Sequence, residues 1–160
     1  SASLVIFWLS LRRKRDTAPL PPASRKFISV VIACRNEEKT IGALLEDLRA
    51  QRYPPGDFEI IVVDDNSTDG TAAIVNDFTL KAPPGTLKIH LLHNQVPGKK
   101  SAMQHGIKHA LGEYVISTDA DCHPGPQWLA CYSSFLETTG ADVVLGPVYE
   151  KPGMSFDSII

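Results

Sequence analysis

Residues 58–71 read FEIIVVDDNSTDGT, a largely apolar run that passes directly into a loop of acids, hydroxyls and a glycine. An apolar run of this length without polar alternation belongs to a strand covered on both faces. Asp, Asn, Ser and Thr cap helices and form turns, so the following segment is a strand-to-helix connection, continued by a short helix through Ile74, Val75 and Phe78. The same unit occurs upstream. FISVVIA at 27–33 is a β-branched run, and after it Ile41, Leu44, Leu45 and Leu48 fall at i, i+3, i+4 and i+7 of a helix that ends before Tyr53-Pro54-Pro55-Gly56. Downstream, residues 87–92 form a third strand, and a helix carries Met103, Ile107 and Ala110 on one face, closed by Gly112. YVISTDAD at 114–121 is a fourth strand, Trp128, Leu129, Tyr132 and Leu136 mark another helix, and 141–145 is a fifth strand. Strands alternating with helices at short spacing define an α/β fold, a mainly parallel sheet with right-handed crossovers and helices on both faces.

At 160 residues the chain is one domain's worth, and nothing in its net charge of −2 suggests a nucleic-acid binder. Three cysteines, Cys34, Cys122 and Cys131, are odd in number and lack CxxC spacing, against both a disulfide framework and a zinc knuckle. The N-terminus differs in kind. Residues 1–11, SASLVIFWLSL, are almost wholly apolar and run into Arg12, Arg13, Lys14 and Arg15. Residues 1–15 therefore read as the remnant of a transmembrane helix with a basic cytoplasmic flank, which places the protein at a membrane with its domain facing the cytoplasm. Residues 16–26, with DTAPLPPAS at 16–24, form a proline-rich linker, and 27–160 form the domain.

In open parallel sheets ligands bind beyond the carboxyl ends of the strands. The polar residues collect there: Arg35, Asn36 and Glu37 after the first strand of the domain, Asp64 and Asp65 after the second, Asp119 and Asp121 after the fourth. In an extended chain Asp119 and Asp121 point the same way while Ala120 points away. Such a pair suits Mg²⁺ or Mn²⁺, which takes one or two protein carboxylates and completes its shell with water and phosphate oxygens. Lys99 and Lys100 at a helix start supply cations for phosphate. A dinucleotide fingerprint is excluded, because 33–37 reads ACRNE without glycine, and Gly98-Lys99 is no P-loop, because His93 stands five positions earlier. His90 and His93 face opposite ways on a strand, and His105 and His109 share a helix face. His123, two residues past Asp121, is close enough to approach a metal.

These motifs, SVVIA at 29–33 with Arg35-Asn36-Glu37, IVVDDNSTDGT at 61–71, Gly98-Lys99 and Asp119-Ala120-Asp121, resemble those of glycosyltransferase family 2 in content and order, over about residues 27–148. The resemblance implies the GT-A, Rossmann-like fold and an inverting, metal-assisted transfer of a sugar from a nucleotide-sugar, most often a UDP-sugar, to a saccharide or lipid acceptor. It implies that Ala33, Arg35 and Glu37 line the nucleotide pocket, that Asp64 or Asp65 meets the uracil, and that Lys99 faces phosphate. Asp119 would contact ribose or metal, and Asp121 would ligate the Mg²⁺ or Mn²⁺. It also implies a cell-envelope polysaccharide enzyme of a bacterial inner membrane. The family's catalytic base and acceptor motif are expected beyond Ile160, so the chain reads as the donor-binding half, cut before the acceptor-binding half and inactive alone. Lys100 departs from the glycine often found after Gly-Lys. Two rival readings are a non-catalytic nucleotide-sugar-binding module and a sugar nucleotidyltransferase, the latter disfavoured by the lack of a glycine-rich loop after the first strand.

Overall fold

The structure, a computed structural model, describes residues 5–6 along the backbone and residues 26–83 and 86–140 in full. The strand expected at 141–145 lies outside the described residues. Five parallel strands form one sheet in the order β1-β5-β2-β3-β4, where β1 is Val5–Ile6, β2 Ile28–Cys34, β3 Phe58–Asp64, β4 Lys88–His93 and β5 Tyr114–Ser117. Of the apolar N-terminal segment only Val5 and Ile6 are described. There the backbone is extended beside Val115 and Ile116 rather than helical, as suits two β-branched residues against a strand edge with unpaired backbone groups. Among the described residues no helix is long and apolar enough to cross a membrane.

The central strands β2 and β3 are buried almost end to end, as their unbroken apolar runs require. Alternate residues serve opposite layers. Val30, Ile32, Ile60 and Val62 pack under α1 (Ile41–Arg49), α2 (Thr71–Lys81) and α4 (Trp128–Thr139), while Val31, Ile61, Val63 and Val115 pack under α3 (Lys99–His109). The apolar stripe expected for α1 is the buried one: Ile41, Leu44, Leu45 and Leu48 are wholly enclosed. α3 lies close to the sheet at Gly106, where a Cβ would come within 2.5 Å of Val31 Cγ1 and 3.0 Å of Val63 Cγ2.

Two expected boundaries move. α3 ends at His109, with Ala110 turning extended, so Gly112 does not close it. Gly112 answers a different need, since a Cβ there would sit 2.5 Å from the backbone nitrogen of Ser29. β5 stops at Ser117 instead of running to Asp121. After the Thr118 N–H bonds Val31 O (3.3 Å), residues 119–122 fold into a turn closed by Cys122 N–H to Asp119 O at 3.2 Å. Aspartates favour turns, and two polar carboxyl groups gain more from water than from a sheet interior.

Candidate functional site

The carboxyl ends of β2 and β3 open into two loops that are knitted together. Asn36 and Asn66 occupy the left-handed region, φ 56° and 60°, which Asn tolerates better than most residues. The Asn36 N–H donates to Ser67 Oγ (2.9 Å), and Asn36 Oδ1 accepts from Thr68 N–H (2.8 Å). Glu37 N–H donates to Thr71 Oγ1, Glu38 N–H to Asp69 Oδ2, and Gly70 N–H to Glu38 Oε2. The acids and hydroxyls that read as caps in the sequence thus serve mainly to lock one loop to the other.

A cleft of about 290 Å³ opens above these loops. From β2 and its loop come Ala33, Cys34, Arg35 and Glu37; from the end of β3 comes Asp65; from the start of α3 comes Lys99; and from the turn after β5 come Asp119 and Asp121. Ala33, Arg35, Glu37, Asp65, Lys99, Asp119 and Asp121 therefore meet in one place, whereas Asn36, Asp64, Lys100 and His123 do not line it. Asp64 and Asp65 are both 5% exposed, but successive residues face opposite ways. Asp64 accepts from Ser67 N–H and approaches His93 Nδ1 (3.4 Å) instead of lining the cleft.

Asp65 organises the neighbouring loop. Its Oδ1 accepts from the buried Asn94 Nδ2 at 2.7 Å, and both its oxygens lie 3.0 and 2.9 Å from the N–H of Gly98, whose φ of 128° suits glycine. The Asn94 amide, the Gly98 N–H and the Arg35 charge outweigh desolvation and hold the Asp65 carboxyl below its usual value. It is therefore an ionised acceptor at neutral pH. Among the described residues Oδ2 takes only the Gly98 N–H, which leaves a lone pair for a further donor. Asn94 was not singled out in the sequence; its only signal is an Asn opening the loop ahead of Gly98.

Lys99 Nζ contacts Asp119 Oδ1 at 2.8 Å, and both side chains are more than half exposed. Among the described residues no hydrogen bond or ion pair reaches the exposed carboxylate of Asp121. Ala120, between them, is 3% exposed and joins the core, yet all three residues line the cleft, so the carboxylates reach it through the turn rather than by strand alternation. The donor set fits a divalent ion that carries its own phosphate and water ligands. It offers two hard carboxylates, and among the described residues no group of three or more His, Cys, Asp or Glu gathers around one point. The cleft also holds two more carboxylates than cations, a deficit that a diphosphate would deepen and a divalent ion would correct.

His123 turns away from this pair, its Nδ1 lying 2.9 Å from Asp47 Oδ2 on α1. His90 and His93 separate to Glu59 and Asp64, on opposite sides of the sheet, and His105 and His109 meet edge to face with ring centroids 4.8 Å apart. Cys34 is buried beneath the acidic loops. Burial first, then the charges of Asp64, Glu37, Asp69 and Asp65, push its thiol up to about 12, so it is inert as a nucleophile.

Residues 29–158 match the family described as Glycosyl transferase family 2. Similar proteins include the glycosyltransferase AglE of Haloferax volcanii, 35% identical over 122 residues that make up 76% of this chain and 39% of AglE. Among solved structures, Staphylococcus aureus TarS 1–349 in complex with UDP superposes with a TM-score of 0.64 at 31% identity, covering 72% of this chain and 33% of that one. The mannosyltransferase PcManGT from Pyrobaculum calidifontis, in complex with GDP-Man and Mn²⁺, superposes with a TM-score of 0.68 at 32% identity, covering 78% of this chain and 36% of that one. The chain thus spans less than half the length of each of these relatives.

Proposed function

Because the chain belongs to glycosyl transferase family 2, we propose that its cleft binds the nucleotide-diphosphate part of a nucleotide-sugar, a UDP-sugar in first place, for an inverting transfer to an acceptor hydroxyl. The observation that carries this reading is the convergence of Asp119 and Asp121 with Lys99, Arg35 and the ionised Asp65 around one cleft. Asp65, rather than Asp64, accepts from an N–H of the base through the free lone pair on Oδ2. Arg35 and Lys99 offset phosphate charge, and Glu37, fixed by Thr40 Oγ1 at 2.7 Å, closes the pocket beside them. Asp119 and Asp121 would hold Mg²⁺ or Mn²⁺, which when bound supplies positive charge for the departing diphosphate. The transfer chemistry and the acceptor belong to the whole protein. For that protein we also propose membrane attachment through the apolar segment 1–11 and its basic flank at 12–15, with Val5 and Ile6 leaving the edge of β5 for a membrane helix and the domain on the cytoplasmic side.

The nucleotide is testable by calorimetric titration of UDP and of GDP, each with and without Mn²⁺, on the protein and on Asp121→Ala. Mn²⁺-dependent UDP binding that the substitution abolishes supports the reading. Preference for GDP redirects it to a GDP-sugar, as in the PcManGT complex. Binding of neither nucleotide under any condition sinks it.

A further inference from the structure

Lys99 stands at the first position of α3, where a cation opposes the positive end of the helix dipole. Helix stability therefore does not explain the residue. Its position is also fixed from beneath: Asp65 bonds the Gly98 N–H, and Ser101 Oγ bonds Gly98 O at 2.8 Å, so the turn that launches Lys99 is held at both ends. What Lys99 meets is Asp119, at 2.8 Å. That carboxylate is one of the two in the cleft suited to a divalent ion, so the ammonium and the ion draw on the same oxygen pair and repel each other.

We infer that Lys99 couples cation uptake to donor uptake, pairing with Asp119 while the cleft holds no donor and moving to the donor's diphosphate when one arrives. The inference rests on the donor-site reading above. With the cleft empty, the ion pair weakens the cation's hold on Asp119. With a donor present, the diphosphate offers Lys99 a doubly charged alternative, Asp119 is released, and the phosphates add ligands to the cation. Cation and nucleotide then tighten each other reciprocally, as any coupling between two sites requires. Both side chains are largely solvated, so the competition amounts to a few-fold in affinity and not orders of magnitude.

The test is Mn²⁺ binding to the full-length protein, read from the electron paramagnetic resonance of the free ion, with and without saturating UDP. Lys99→Gln is expected to tighten Mn²⁺ binding in the absence of UDP by about two- to fivefold. The same substitution reduces the gain in Mn²⁺ affinity that UDP produces, while Lys99→Arg, which keeps the charge, preserves the wild-type pattern. A Gln variant that binds Mn²⁺ without UDP no more tightly than wild type overturns the coupling. If wild type itself binds no UDP in the presence of Mn²⁺, the donor-site reading fails, and the coupling with it. Lys99 is exposed, and an unchanged circular dichroism melt would show that the variants fold.

Discussion

Asn94 donates from Nδ2 to Oδ1 of Asp65 at 2.7 Å, joining the loop after β4 to the end of β3, with both residues more than nine-tenths buried. The same amide reaches Val96 O, so one side chain both satisfies a buried carboxylate and shapes the turn that leads to Lys99. Asn94→Ala removes a partner from a buried charge, and we expect a loss of about 1–3 kcal/mol in unfolding free energy by denaturant titration. It should also weaken UDP binding in the presence of Mn²⁺. A variant as stable as the parent would show that Gly98 and Asn66 suffice to satisfy Asp65.

The depressed Asp65 carboxyl has a consequence for acid stability. Asn94 is the largest cause, with Gly98 and Arg35 adding to it against desolvation. Asp69 behaves likewise: desolvation opposes, but the Thr71 hydroxyl and amide and the Glu38 amide hold its carboxyl low. A folded-state value below the unfolded one stabilises the protein above the ordinary carboxylate pKa of about 4, and that stabilisation is lost as pH falls through the folded value. We therefore expect the melting temperature to drop below about pH 4, and to drop less steeply in Asp65→Asn. Parallel curves for the two proteins would contradict the assignment.

Gly106 is the point at which α3 touches the sheet. A methyl there overlaps Val31 and Val63, which are packed, β-branched and unable to swing aside. Gly106→Ala should cost about 1–3 kcal/mol of stability despite its better helix propensity. Thermal unfolding decides the sign, and a stabilised variant would mean that α3 shifts outward freely.

The buried thiol of Cys34 contrasts with the exposed one of Cys131. At pH 8 iodoacetamide should modify Cys131 readily and leave Cys34 untouched in the folded protein, with peptide mass spectrometry as the readout. Comparable labelling of both in the native state would show that the loops over Cys34 open on the labelling timescale.

How far the sequence led can be judged at particular positions. β2 and β3 were legible because strands covered on both faces admit almost no polar residue, and α1 because its apolar stripe is strictly periodic. β4 reads more weakly, since only Ile89 is fully buried on this edge strand. The cleft was legible as a set of residues at strand ends, but its local geometry was not. Alternation assumed a strand through Asp121, whereas the turn begins after Thr118. His123 meets Asp47, 76 residues away, a distance in sequence at which no motif signals contact. Glu59 passed as one more residue of an apolar run. It is 1% exposed and accepts from Ser29 Oγ and Leu111 N–H, partners 30 and 52 positions distant. Local pattern specifies elements; long-range polar pairing is decided only when the sheet assembles them.

The cleft is lined by short stretches scattered from Ala33 to Asp121, each carried by a different element. A molecule seated there is in effect a removable cross-link, tying together segments that the chain itself joins only through long detours. Its binding free energy therefore belongs to the whole domain's folding equilibrium: nucleotide at a hundred times its dissociation constant adds about 2.7 kcal/mol to unfolding. On the donor-site reading proposed above, supply of the nucleotide would also set how long the domain persists against heat and proteases. A melting temperature that rises more with nucleotide plus Mn²⁺ than with either alone would display that dependence.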